Sequence, residues 1–81
     1  MTMLSELTED QKNHLAYRLD HNTGCGYLTA CAVARGQHGD CDIVEIFKIY
    51  GGASQRSAKI LASKVTKFFI DPDKKKSMLV V

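Results

Sequence analysis

Two short spacings in this chain place side chains that could hold a metal or attack an electrophile. His21 precedes Cys25 by four residues and His38 precedes Cys41 by three, with Cys31 between the two pairs. Imidazole and thiolate are suitable zinc ligands, and two ligand pairs about a dozen residues apart can close a tetrahedral site. Both pairs lie in glycine-containing stretches, where backbone can wrap an ion. No CxxC is present, however, and Cys25 and Cys41 suit a small apolar core equally well. His21, Cys25, His38 and Cys41 are therefore weak metal candidates. The expectation is a fold that needs neither metal nor cofactor.

A thiol nucleophile drawn from Cys25 or Cys31 needs a base such as His21 or His38 within hydrogen-bond reach, and the sequence supplies residue types only. The chain has no glycine-rich phosphate loop, metalloprotease motif or nucleophile elbow. Asp40 and Asp42 suit helix capping better than a paired-carboxylate mechanism. No catalytic residue is assigned, and the expected class is non-enzymatic.

The elements that carry these residues read as four short helices. Thr8 can cap a first helix, with Gln11 reaching back in a capping box and Glu9 and Asp10 suiting the positive end of the dipole. Leu15, Ala16 and Leu19 form its apolar stripe, and Asn22-Thr23-Gly24 ends it. Tyr27 to Arg35 is bounded by Gly26 and Gly36 and holds three alanines, which favour helix and are depleted in strands. Its apolar residues cover nearly the whole circumference, so it is expected to be the most buried helix. Asp40 to Tyr50 follows, with Asp40 as the expected cap, Ile43, Ile46, Phe47 and Tyr50 on one face, and Gly51 closing it in the left-handed conformation.

The last helix starts at Ser54 and is expected to stop near Ile70, because Pro72 disfavours helix in the residue before it. Ala58, Leu61, Ala62, Val65, Phe68 and Phe69 share its apolar side, and Arg56, Lys59, Ser63, Lys64, Thr66 and Lys67 the other. Ile60 stands alone among the basic residues. Residues 27–35 and 42–50, separated by GQHGDC, also read as a β-hairpin, which would give an α-β-β-α domain. The all-α reading is preferred, because helical spacing separates the faces of DIVEIFKIY and alternation leaves both mixed.

A chain of 81 residues is one small domain and buries only about 60% of the surface its unfolded form exposes. With 44% hydrophobic and 25% charged residues, it has the composition of a folded protein. No apolar run nears the roughly 20 residues that cross a bilayer. The start, MTMLSELTEDQ, lacks the basic and apolar regions of a signal peptide. A cytoplasmic location with free thiols is expected. Charge is split along the chain: residues 1–47 carry seven acids and three bases, residues 48–81 eight bases and two acids. Residues 71–81 form a basic tail within the single domain. Such a basic half attracts phosphates or an acidic protein surface, and it also keeps small domains soluble.

The stretch Gly52-Ala53-Ser54-Gln55-Arg56-Ser57-Ala58-Lys59-Ile60-Leu61 resembles the turn and recognition helix of helix-turn-helix DNA-binding proteins. The likeness spans residues 43–61. It implies that Asp42 to Tyr50 is the preceding helix, that Ala58 and Leu61 face the core, and that Gln55, Arg56 and Lys59 face a DNA groove. On this reading the protein is a transcriptional regulator with nucleic acid as its partner.

The competing expectation is a protein-interaction module. A charged helix face with an exposed aliphatic at its centre describes a docking surface with an apolar anchor and a polar rim. Arg56, Lys59, Ile60, Ser63, Lys64 and Lys67 would form it, and the partner would be a larger, acidic-surfaced protein. In size and lack of catalytic motifs the chain is comparable to small phage-encoded inhibitors. The leading reading is a regulator that binds and inhibits such a partner; a second copy of the chain is a further candidate to cover Ile60.

Overall fold

The computed structural model describes residues 2–68, and among them four helices and no strand. α1, Glu9–Asn22, forms as its sequence implies: the Thr8 hydroxyl accepts from the Gln11 amide, and the Gln11 side chain accepts from the Thr8 amide. Leu15 and Leu19 bury its inner face completely. α2, Tyr27–Ala34, folds back on α1 after a short connection. α3, Ile43–Ile49, and α4, Gln55–Thr66, form a second pair, and α4 also packs on α1. The rival α-β-β-α arrangement does not occur, since residues 27–34 and 43–49 are both helical.

Several details depart from expectation, each for a local reason. The cap of α3 is Asp42, whose carboxylate accepts from the Val44 amide at 2.9 Å. Asp40 is committed elsewhere: Ser5 donates to it from both its amide, at 2.8 Å, and its hydroxyl, at 2.7 Å. This pair holds the N-terminal segment, with its single turn of 3-10 helix at Leu4–Glu6, across the α2–α3 loop. There Met3 and Asp42 form one antiparallel bridge, and Leu4 and Leu7 become core residues.

The most buried helix is α3, not α2. Ile43, Ile46 and Phe47 are at most 1% exposed, whereas Tyr27 and Leu28 of α2 lie open. With apolar side chains all round, α2 packs mainly on α1 among the described residues, which buries Ala30, Val33 and Ala34.

Closure of α3 falls to Gly52 and not to Gly51. Gly52 has φ +67° and its amide donates to the Lys48 carbonyl, which is the left-handed helix stop. Gly51 serves a close approach instead. An added Cβ there would lie 2.7 Å from the Phe47 carbonyl oxygen and 2.8 Å from Thr23 Cγ2.

α4 begins at its expected cap, Ser54, which accepts from the Ser57 amide. Ala58, Ala62 and Val65 are buried, and Leu61 packs against the core from a partly exposed position. The helix ends at Thr66 rather than near Ile70. Gln11 donates from its side chain to the Thr66 carbonyl at 3.1 Å, and Phe68 leaves the helix to lie face to face with His14, ring centres 4.1 Å apart. Phe69, Ile70 and the basic tail 71–81 fall outside the described residues.

That ring contact makes the α1–α4 seam sensitive to acid. Arg18 donates from Nε to His14 Nε2 at 3.2 Å, so the imidazole there is the neutral acceptor. Burial, and then the nearby Arg18 charge, hold its pKa below the ordinary 6.5. The unfolded chain therefore binds the proton more readily than the folded one. Stability from this site is complete above pH 6.5 and is lost as pH falls through the lower folded value. The melting temperature is expected to drop on going from about pH 8 to about pH 5, and His14→Gln to flatten that slope. A slope unchanged by the substitution would assign the effect to other groups.

Candidate functional site

The structure sets the basic residues of α4 along one outer face. Gln55, Arg56, Lys59, Ile60, Lys64 and Lys67 are all exposed, and Ser63 is half-covered. Ile60 is 51% exposed, so its expected phase on the helix is correct. No acid lies between Glu45 and Asp71 in the sequence. Among the described residues none of the α4 cations forms an ion pair; the nearby acid Glu45 is taken by Lys48 within α3, at 3.5 Å. The result is a strip of unneutralised positive charge around one aliphatic side chain, backed by the buried Ala58–Ala62–Val65 stripe.

The residues of the resemblance also fall as it implies in one respect. Ala58 is buried and Leu61 packs on the core, while Gln55, Arg56 and Lys59 point outward at the start of α4. Residues 50–54 connect α3 to α4.

The metal candidates are dispersed. Among the described residues no group of three or more His, Cys, Asp or Glu side chains is close enough to hold an ion. His21 sits at the end of α1 beside Asp20, its ring against Tyr17. His38 lies against the ring of Tyr50. Cys25 is buried, and burial, with Asp20 nearby, raises its pKa; Cys41 is raised likewise by burial and by Asp40, Asp42 and Glu45. Both are thus held as thiols rather than thiolates, which suits packing better than nucleophilic attack.

A second feature has no counterpart in the sequence reading. A groove of about 450 Å³ runs between α1 and α2, with Tyr17 and Tyr27 on its walls and Lys12 and Arg35 among its lining residues. Tyr17 and Tyr27 stand ten positions apart in the sequence, on different helices. Only a partner assignment for α1 and α2 could have brought them together.

Comparison with protein families, curated proteins and solved structures finds no match to this chain. No helix among the described residues is long and apolar enough to cross a membrane. The functional argument therefore rests on these surfaces.

Proposed function

We propose that this protein is a non-enzymatic regulator that binds a larger, acidic-surfaced protein through the outer face of α4 and inhibits it. The observation that carries this reading is Ile60, half exposed at the centre of a cationic strip. A phosphate backbone is satisfied by the cations alone, and an aliphatic among them gains only against a thymine methyl in the groove. A protein interface has a use for both, with the apolar side chain desolvated at the centre and charges at the rim. Arg56, Lys59, Lys64 and Lys67 then steer the encounter, and Ile60 with Ser63 fills the contact.

The second reading, duplex DNA gripped by Gln55, Arg56 and Lys59, is supported by the exposure of those three side chains at the start of α4. One experiment separates the two. The chain is used to capture partners from a nuclease-treated native extract at low and at physiological salt, beside a Lys59→Glu variant. A stoichiometric protein that survives nuclease, is lost with Lys59→Glu and loses activity when bound is the expected result. A selected duplex bound far more tightly than random sequence at physiological salt, with no protein retained, would overturn it in favour of DNA.

A further inference from the structure

The groove between α1 and α2 has two chemically different ends. Residues 23–26 join the helices, so the C-terminal part of α1 lies beside the start of α2. Tyr17, Asp20, His21 and Tyr27 stand toward that joined end. Lys12 and Arg35 stand toward the open one. At the helical rise they lie about 7.5 Å from Tyr17 along α1 and about 12 Å from Tyr27 along α2. Small side chains, Ala16, Cys31 and Ala34, line the space between.

The two ends also differ in what is available to a ligand. Tyr17 and Tyr27 are 52% and 62% exposed; the Tyr17 ring already meets those of His21 and His14, at 4.4 and 5.9 Å between centres, whereas Tyr27 has no ring neighbour among the described residues. Cys31, one turn further along α2, lines the same groove wall as Tyr27 and is the main cause of its raised pKa. Arg35 makes no ion pair among the described residues. Lys12 pairs with Glu9, 3.8 Å away and almost fully solvated, and its charge is also felt by exposed Asp40; solvated pairings of this kind are too weak to hold it from an incoming anion.

We infer that this groove binds a mononucleotide, its base stacked on Tyr27 and bordered by Tyr17, and its phosphate against Lys12 and Arg35. The volume falls within the range of about 300–1,000 Å³ usual for small-molecule sites. Aromatic faces stack any base, and a guanidinium meets phosphate with two parallel hydrogen bonds. The spacing between the tyrosines and the cations suits a base and its own 5′-phosphate. Asp20, beside Tyr27, repels phosphate from the joined end and offers an acceptor to a sugar hydroxyl or an exocyclic amine, which sets the orientation. A polynucleotide fits less well. Its backbone needs a continuing cationic track, and here Asp20 closes one end while Asp40 lies beside Lys12 and Arg35 at the other.

The test is an amide-shift titration of the ¹⁵N-labelled chain with AMP and then GMP, beside adenosine, inorganic phosphate and a short oligoadenylate. Saturable shifts in residues 12–21 and 27–35 are expected for at least one mononucleotide, with adenosine and phosphate each weaker by about tenfold or more. Arg35→Glu and Tyr27→Ala should each weaken binding by about tenfold or more and leave helical circular dichroism unchanged, because both side chains are exposed. Should Arg35→Glu misfold, Lys12→Glu reads the same phosphate contact. Four results would each overturn the assignment: no saturable shift, shifts confined to α4, phosphate binding as tightly as the nucleotide, or an oligonucleotide preferred with steep salt dependence. The second and fourth would also favour the duplex-DNA reading of α4, while the first and third leave the proposed role of that helix untouched.

Discussion

Ile60→Asp should leave the helical content and melting temperature of the isolated protein nearly unchanged and weaken capture of its protein partner by about 2 kcal/mol or more, roughly thirtyfold. The first half follows from position. Ile60 is half exposed and belongs to no part of the core, so an aspartate there displaces no packed neighbour. The change in helix propensity is a few tenths of a kcal/mol at most. The second half follows from what a partner would lose: an apolar anchor, replaced by a carboxylate that must be desolvated and that meets an acidic surface. Two controls sharpen the reading. Ser63→Ala, beside the anchor but without charge, should change affinity by less than about 1 kcal/mol. Lys64→Gln should slow association and lessen its salt dependence with little effect on the lifetime of the complex. If Ile60→Asp instead converts a dimer to a monomer, the surface that covers Ile60 is a second copy of the chain. If the variant binds as well as the parent, the aliphatic is a stray exposed side chain and the docking assignment falls.

What the sequence made legible, and what it hid, follows the range of the interactions involved. Thr8–Gln11, the Ser54 cap and the two faces of α4 depend on residues within one or two helical turns, and all were readable. The α3 cap was misplaced because Asp40 and Asp42 are equally good caps in isolation. The choice is made by Ser5, thirty-five residues away, which claims the Asp40 carboxylate. Burial of α2 was overestimated for a related reason. Its composition fits complete burial, but an eight-residue helix packed mainly on α1 leaves Tyr27 and Leu28 uncovered by any described residue. The same long-range arrangement creates the groove between α1 and α2, so the nucleotide site is as invisible to pattern as the Asp40 contact. His14, placed on no face by its own type, became significant only when Phe68 turned out of α4 to lie on its ring.

The second large effect concerns Gly51, where the two helical pairs touch. Gly51→Ala is expected to destabilise the protein by about 3 kcal/mol, the upper part of the usual range for overpacking. With a domain of this size that lowers the melting temperature by roughly 12–24 °C. The obstruction is specific. The new Cβ would sit 2.7 Å from the Phe47 carbonyl oxygen and 2.8 and 2.9 Å from Thr23 Cγ2 and Cβ. Neither side can give way cheaply. The Phe47 carbonyl belongs to α3, whose Phe47 ring is fully buried, and it accepts from the Ala53 amide. Thr23 is held by its hydroxyl, which donates to the Leu19 carbonyl and accepts from the Cys25 amide. Relief therefore requires the end of α3 to move away from the α1–α2 connection, opening the core beneath it. Gly52→Ala is the comparison that separates crowding from backbone strain. Its φ of +67° disfavours alanine, but among the described residues no atom beyond its chain neighbours lies within 4 Å of the added methyl, so it should cost only about 1–2 kcal/mol. Gly24→Ala meets no other described residue within 4 Å, at an ordinary φ, and should be neutral or slightly stabilising, through lower entropy in the unfolded chain. Thr23→Ser, which keeps the hydroxyl and removes Cγ2, should restore part of the loss when added to Gly51→Ala. Equal melting temperatures for Gly51→Ala and Gly24→Ala would mean that α3 and the α1–α2 connection do not meet as described.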